Sequence, residues 1–165
     1  LINYILMLKL RKKVLKTYLI ELIQTELRIE TMKSKIFKSE NGLELLVKNR
    51  KSAVILEMNP SQMDSKYKVE FKFNSRDFDE LYSYIDTAAN ESWDIIISKE
   101  ASSLGSDYYE YYDKELDSNG YLCIRENTIV INRPSLESNK LYQFNKRKME
   151  SFAYDFRKSV ANKMV

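Results

Sequence analysis

The run of residues best equipped for chemistry is Asp107-Tyr108-Tyr109-Glu110-Tyr111-Tyr112-Asp113-Lys114-Glu115-Leu116-Asp117, and the chemistry it offers is recognition. Across residues 100–119, six acids (Glu100, Asp107, Glu110, Asp113, Glu115, Asp117) face one base, Lys114, a net of −5. Tyrosine supplies a large, fairly rigid contact area with a polar tip, which is why interfaces are enriched in it. Carboxylates around it attract a basic partner and speed encounter, and they can stand in for phosphates at a nucleic-acid-binding groove. Asp107, Tyr108, Tyr109, Glu110, Tyr111, Tyr112 and Asp113 are therefore the candidate partner-contact residues. The competing reading is a solvated loop or short helix whose alternate tyrosines pack inward.

A second pattern overlaps the first. Glu115, Asp117 and Asn119 put oxygen donors at the first, third and fifth positions of a twelve-residue stretch, with Gly120 sixth and Glu126 twelfth. A calcium loop uses that spacing, the glycine for a sharp turn and the last carboxylate to close the cage, and these twelve residues resemble an EF-hand loop. Two departures count against it: Glu rather than Asp stands first, and residues 124–132 read as strand instead of an exiting helix. Asp117-Ser-Asn-Gly is also an ordinary turn before a strand. No metal or cofactor is expected.

The third pattern is basic. Lys146, Arg147, Lys148, Arg157 and Lys158 flank the apolar stripe of a predicted closing helix, and phosphate-backbone contact would use such a row. Bases late in a helix also complement its dipole, and lysine stems cover apolar edges.

Catalytic machinery is sparse. The chain has no histidine, which removes the commonest general base and transition-metal ligand. Its one cysteine, Cys123, excludes an internal disulfide framework and a cysteine zinc cluster, and its apolar strand context reads as an inert buried thiol. Glycine-rich phosphate loops and a Gly-x-Ser-x-Gly elbow are absent from the sequence. Asp77, Asp79 and Glu80 read as helix-start residues rather than an acid/base pair.

The net charge of +3 divides unevenly. Residues 1–35 hold eight bases against three acids, while the remainder holds 19 against 21, so the body is near neutral. A global electrostatic case for nucleic-acid binding fails on that division. Residues 1–31 are expected to be a basic amphipathic helical appendage or an over-extended reading frame. Val14, Leu15, Tyr18, Leu19, Leu22 and Ile23 recur at spacings of three and four, suited to a membrane surface or a partner helix. Met32, followed by Lys-Ser-Lys-Ile-Phe, also reads as a chain start. Richness in Leu, Ile, Lys, Asn and Tyr is what AT-rich DNA encodes, pointing to a bacterium or a mobile element. The five bases between Lys9 and Lys16 interrupt any membrane-spanning run.

Residues 32–165 are expected to form one α+β domain. Strands are predicted over 43–48, 53–58, 67–73, 93–98, 121–125 and 128–132, the clearest where Tyr67, Val69, Phe71 and Phe73 alternate with Lys68, Glu70 and Lys72. Asn74 or Ser75 caps a helix whose apolar face is Phe78, Leu81, Tyr82 and Ile85. A long helix over 141–163 closes the chain, begun by Ser138 or Asn139. The whole reads as a mostly antiparallel sheet covered on one face by the central and C-terminal helices, with an extra N-terminal helical segment. The expected function is a non-catalytic, cytoplasmic binding protein, inhibitor-like or accessory, that contacts a basic protein through residues 107–113. A nucleic-acid-associated protein using the closing helix is the alternative, followed by a carboxylate-based enzyme.

Overall fold

The computed structural model describes residues 7, 11–23, 32–103, 105–109 and 119–161. The chain divides into two units, Leu1–Met32 and Lys33–Val165. In the first, residues 11–23 form helix α1. The second is an α+β unit, and among its described residues seven strands and two helices follow in order: β1 (Lys33–Lys38), β2 (Glu44–Arg50), β3 (Ala53–Met58), β4 (Lys68–Lys72), α2 (Ser75–Trp93), β5 (Tyr121–Arg125), β6 (Thr128–Asn132), β7 (Lys140–Phe144) and α3 (Lys146–Ala161).

The strands make two antiparallel sheets, ordered β1-β2-β3-β7 and β4-β6-β5. In the first sheet, register places Phe37 opposite Leu45, Leu45 opposite Met58, Val47 opposite Leu56 and Leu56 opposite Tyr142. That face is buried and carries α2, which packs on β2 and β3. In the second sheet, Val69, Phe71, Leu122, Ile129 and Ile131 turn inward, while Lys68, Glu70 and Lys72 stay at the surface. The period-2 alternation of β4 is therefore a one-sided strand, as its pattern requires. Helix α3 contacts β5, β7 and α2, so residues of both sheets and both helices share one core.

Backbone and side-chain hydrogen bonds stitch the sheets together where their strands end. The amide of Gly120 donates to the Leu141 carbonyl (2.9 Å), which carries the approach to β5 onto the free side of β7. On the other flank Glu40 N–H donates to Lys72 O (2.7 Å), and the Asn41 side chain donates to Glu70 O (2.8 Å) while accepting from Lys72 N–H (3.3 Å). The outer edges of β7 and β4 are thus partly capped, which blunts their tendency to pair with another chain.

Helix α2 starts as its sequence dictates. Asn74 Oδ1 accepts from Asp77 N–H (2.9 Å), and Asp77 sits in the first turn where the dipole favours it. Lys33 and Lys35 of β1 pair with Glu91 and Glu80 of α2 at 2.8 and 2.7 Å.

Three expected boundaries differ. Residues 141–145 are not helix: β7 occupies Lys140–Phe144, and the closing helix begins at Lys146. Leu141, Tyr142 and Phe144 are all buried, so both faces of β7 are apolar and the period-2 signal is lost. The predicted strand over 93–98 is instead the end of α2 followed by irregular chain. Strand β1 went unpredicted because only Phe37 in it is buried, leaving an edge strand dominated by lysine.

Candidate functional site

Helix α3 is the element on which the candidate groups converge. Asn145 caps it, its Oδ1 accepting from Lys148 N–H (3.0 Å). Lys146, Arg147 and Lys148 consequently fill the first turn, where the dipole favours anions and three bases oppose it. The expected helix over 141–163 places them about one turn further in. Lys146 and Arg147 are exposed, and Arg157 and Lys158 lie on the same face three turns later, about 16 Å along the axis. Lys148 is a correction to the expected basic row. It is 6% exposed, and its ammonium sits 5.9 Å from the Tyr142 ring, because position 148 falls on the inner side of the first turn.

Ser151, one turn further on, is a hub for the chain leading to the tyrosine run. Its hydroxyl accepts from Tyr108 N–H (3.1 Å) and donates to Ser106 O (2.9 Å). The Tyr142 hydroxyl donates to Tyr108 O (2.9 Å), and the Tyr108 hydroxyl donates to Asp155 (3.1 Å). The Tyr108 ring meets Phe152 edge-on, centroids 5.1 Å apart. Tyr108 is thus 4% exposed with its polar groups bonded, a core residue and not the contact residue expected. Burial, then the Asp155 carboxylate, pushes its phenol well above the ordinary tyrosine range.

The neighbouring residues face differently. Asp107 is half-buried and accepts from Tyr109 N–H (2.9 Å), fixing the turn. Tyr109 is 46% exposed, and its ring meets that of Tyr121 at 4.8 Å in an edge-on pair. The Tyr121 phenol is pushed up to about 12, by desolvation first and by its hydrogen bond with Tyr109 second. Glu110, Tyr111, Tyr112 and Asp113 lie outside the described residues. Tyr121 is a half-buried aromatic that the local pattern did not single out. It shares its side of β5 with Cys123, which is buried, so strand periodicity carried no signal for it.

Some acid already meets base beside α3. Lys99 lies 3.3 Å from Glu150, which is buried, and Lys158 lies 4.0 Å from Glu100. A depression of about 80 Å³ here, lined by Lys99, Ser102, Ser103 and Arg147, is well below the size of a substrate pocket. A wider cleft of about 340 Å³ opens between the β1–β2 turn and β4. Its Gln62 is engaged, accepting from Glu44 N–H (2.8 Å) and donating to Gly42 O (2.9 Å).

Of the calcium-loop spacing, Glu115 and Asp117 lie outside the described residues, and the described part is not a loop. Residues 121–125 are extended and paired with β6, so they cannot wrap an ion. Asn119, the fifth position, spends its amide on Gln143: Oδ1 accepts from Gln143 N–H (2.8 Å) and Nδ2 donates to Gln143 O (3.1 Å). Gly120 serves packing instead. A Cβ there would fall 2.5 Å from Asn132 O and 2.8 Å from Leu141 O. Among the described residues no cluster of metal-ligating side chains occurs, and no helix is long and apolar enough to cross a membrane.

Comparison of the chain with protein-family models, with curated proteins and with solved structures found no match in any of the three.

Proposed function

We propose that the chain is a non-catalytic binding protein, inhibitor-like or accessory, that meets a basic protein partner through the acidic tyrosine surface beginning at Asp107 and Tyr109. The observation that carries this reading is the anchoring of Tyr108. With one tyrosine bonded into the core, the next is held outward against Tyr121, so its contact area is ordered before a partner arrives. The net of −5 over residues 100–119 supplies the attraction. The absence of histidine and the burial of the one cysteine support a non-catalytic role. A single cysteine also fits the reducing cytoplasm, where we place the protein.

Co-purification with the full chain from its native host tests the reading. A basic protein should be retained at low salt, lost with Tyr109→Ala/Tyr121→Ala, and kept with Lys146→Glu/Arg147→Glu. Retention unchanged by the tyrosine variant, with its melting temperature intact, overturns it.

A second reading rests on the first turn of α3. Exposed Lys146 and Arg147 oppose the helix dipole, at a cost of about 0.3–1 kcal/mol each, with no ion pair of theirs to offset it among the described residues. Contact with nucleic-acid phosphates would account for them. DNA or RNA binding that falls steeply with salt and disappears in Lys146→Glu/Arg147→Glu favours this reading over the first.

A further inference from the structure

Among the described residues, the apolar side chains of α1 are exposed. Val14, Leu15 and Tyr18 are 64%, 68% and 63% exposed, and Leu19, Leu22 and Ile23 are exposed as well. At about 100° per residue these six occupy roughly half the helix circumference. That arc is wider than the a/d seam through which two helices pair. Ile20 is the exception, on the opposite side.

The bases are placed with respect to that stripe. Lys12 and Lys16, one turn apart, line one of its borders, Lys13 lies on the polar side, and Arg11 heads the stripe at its N-terminal end. Against these four bases residues 11–23 carry one acid, Glu21. A lysine at the border of a half-apolar helix can lay its stem along the apolar face and raise its ammonium to the polar level. This is the pattern of a helix lying in an interface, with the apolar side among acyl chains and the bases at the depth of anionic headgroups.

We infer that α1 is a surface anchor that binds the chain to anionic lipid bilayers, lying in the plane of the membrane. The exposed apolar half-cylinder supplies the insertion, and the border lysines supply the preference for negative headgroups. The commitment is to a lipid surface: the arc is too broad for a two-helix seam, and positive charge along its border would repel a second copy of the same helix.

Flotation of the full chain with vesicles of phosphatidylcholine plus phosphatidylglycerol, against phosphatidylcholine alone, tests the inference. Binding should appear with the anionic vesicles and weaken as salt is raised. Lys12→Gln/Lys16→Gln should lower partitioning on the order of thirty-fold, as two headgroup-level charges predict. Leu15→Asp/Leu22→Asp should abolish it. The melting temperature of each variant, measured without vesicles, reports whether the second unit is intact. Failure of the full chain to float with anionic vesicles overturns the inference. So does equal flotation with neutral vesicles, or a dimer in sedimentation equilibrium that Leu15→Asp/Leu22→Asp dissolves.

Discussion

The side-chain amide of Asn119 makes with Gln143 both hydrogen bonds that a neighbouring strand would make, accepting from its N–H at 2.8 Å and donating to its carbonyl at 3.1 Å. One side chain therefore stands in for a strand residue at the edge of β7, and Asn41 does the same for β4. Asparagine suits this role because its side chain carries the same amide group as the backbone. The seam between the sheets depends on these two residues as well as on apolar packing.

Asn119→Ala should destabilise the chain by about 1–3 kcal/mol, since Asn119 is buried and its loss leaves Gln143 backbone groups unpaired. Asn119→Asp keeps the acceptor and sets a carboxylate oxygen against the Gln143 carbonyl, so it should be no less harmful. Urea denaturation with an unchanged m-value checks both.

Gly120→Ala should be disproportionately severe for a single methyl. The new Cβ would meet two backbone carbonyl oxygens at 2.5 and 2.8 Å, which cannot rotate away as a side chain can. A loss of about 1–3 kcal/mol or more is expected, with the seam between β5 and β7 opening first. Hydrogen exchange at the residue-120 amide, which in the parent chain donates to Leu141 O, would report that opening.

Tyr108 links stability to alkaline pH. Its folded phenol titrates above the ordinary value of 10.0, so above pH 10 the native state holds a proton that the unfolded state has lost. Stability should therefore be fully present below pH 10 and fall by about 1.4 kcal/mol per pH unit above it, until the folded phenol itself ionises. Tyr108→Phe should flatten that part of the profile at a cost near neutrality of about 1 kcal/mol, whereas Tyr108→Ala should cost about 3–5 kcal/mol. Tyr82, Tyr84 and Tyr121 are also raised, and the difference between wild type and Tyr108→Phe isolates the one contribution.

Cys123 is buried and unpaired with another cysteine. A thiol reagent should label it slowly in buffer and rapidly in denaturant, with the native rate tracking unfolding.

Where one face of an element is wet and the other dry, local pattern was enough. Tyr67 to Phe73 alternates, the apolar residues of α2 repeat at helical spacing behind an Asn cap, and the hairpin of β5 and β6 occupies its expected residues. That hairpin turns without glycine because Glu126 accepts φ +52, a left-handed conformation that no residue type announced. Strand β7 was hidden by burial on both sides, and it took with it the true start of α3. Moving that start to Lys146 brings exposed Lys146 and Arg147 into the first turn itself, where the helix dipole opposes them most.

Composition and spacing by themselves determined the α+β class, the near-neutral body with its basic leading segment, and the lack of histidine- or cysteine-cluster chemistry. Tertiary structure alone decided which tyrosine turns inward, that Lys148 is buried, and that Asn119 and Gly120 serve a seam between sheets rather than an ion. The reason is physical. Periodicity records how an element divides between water and core, whereas the fate of one polar side chain depends on partners far along the chain, as Tyr108 depends on Tyr142, Ser151 and Asp155.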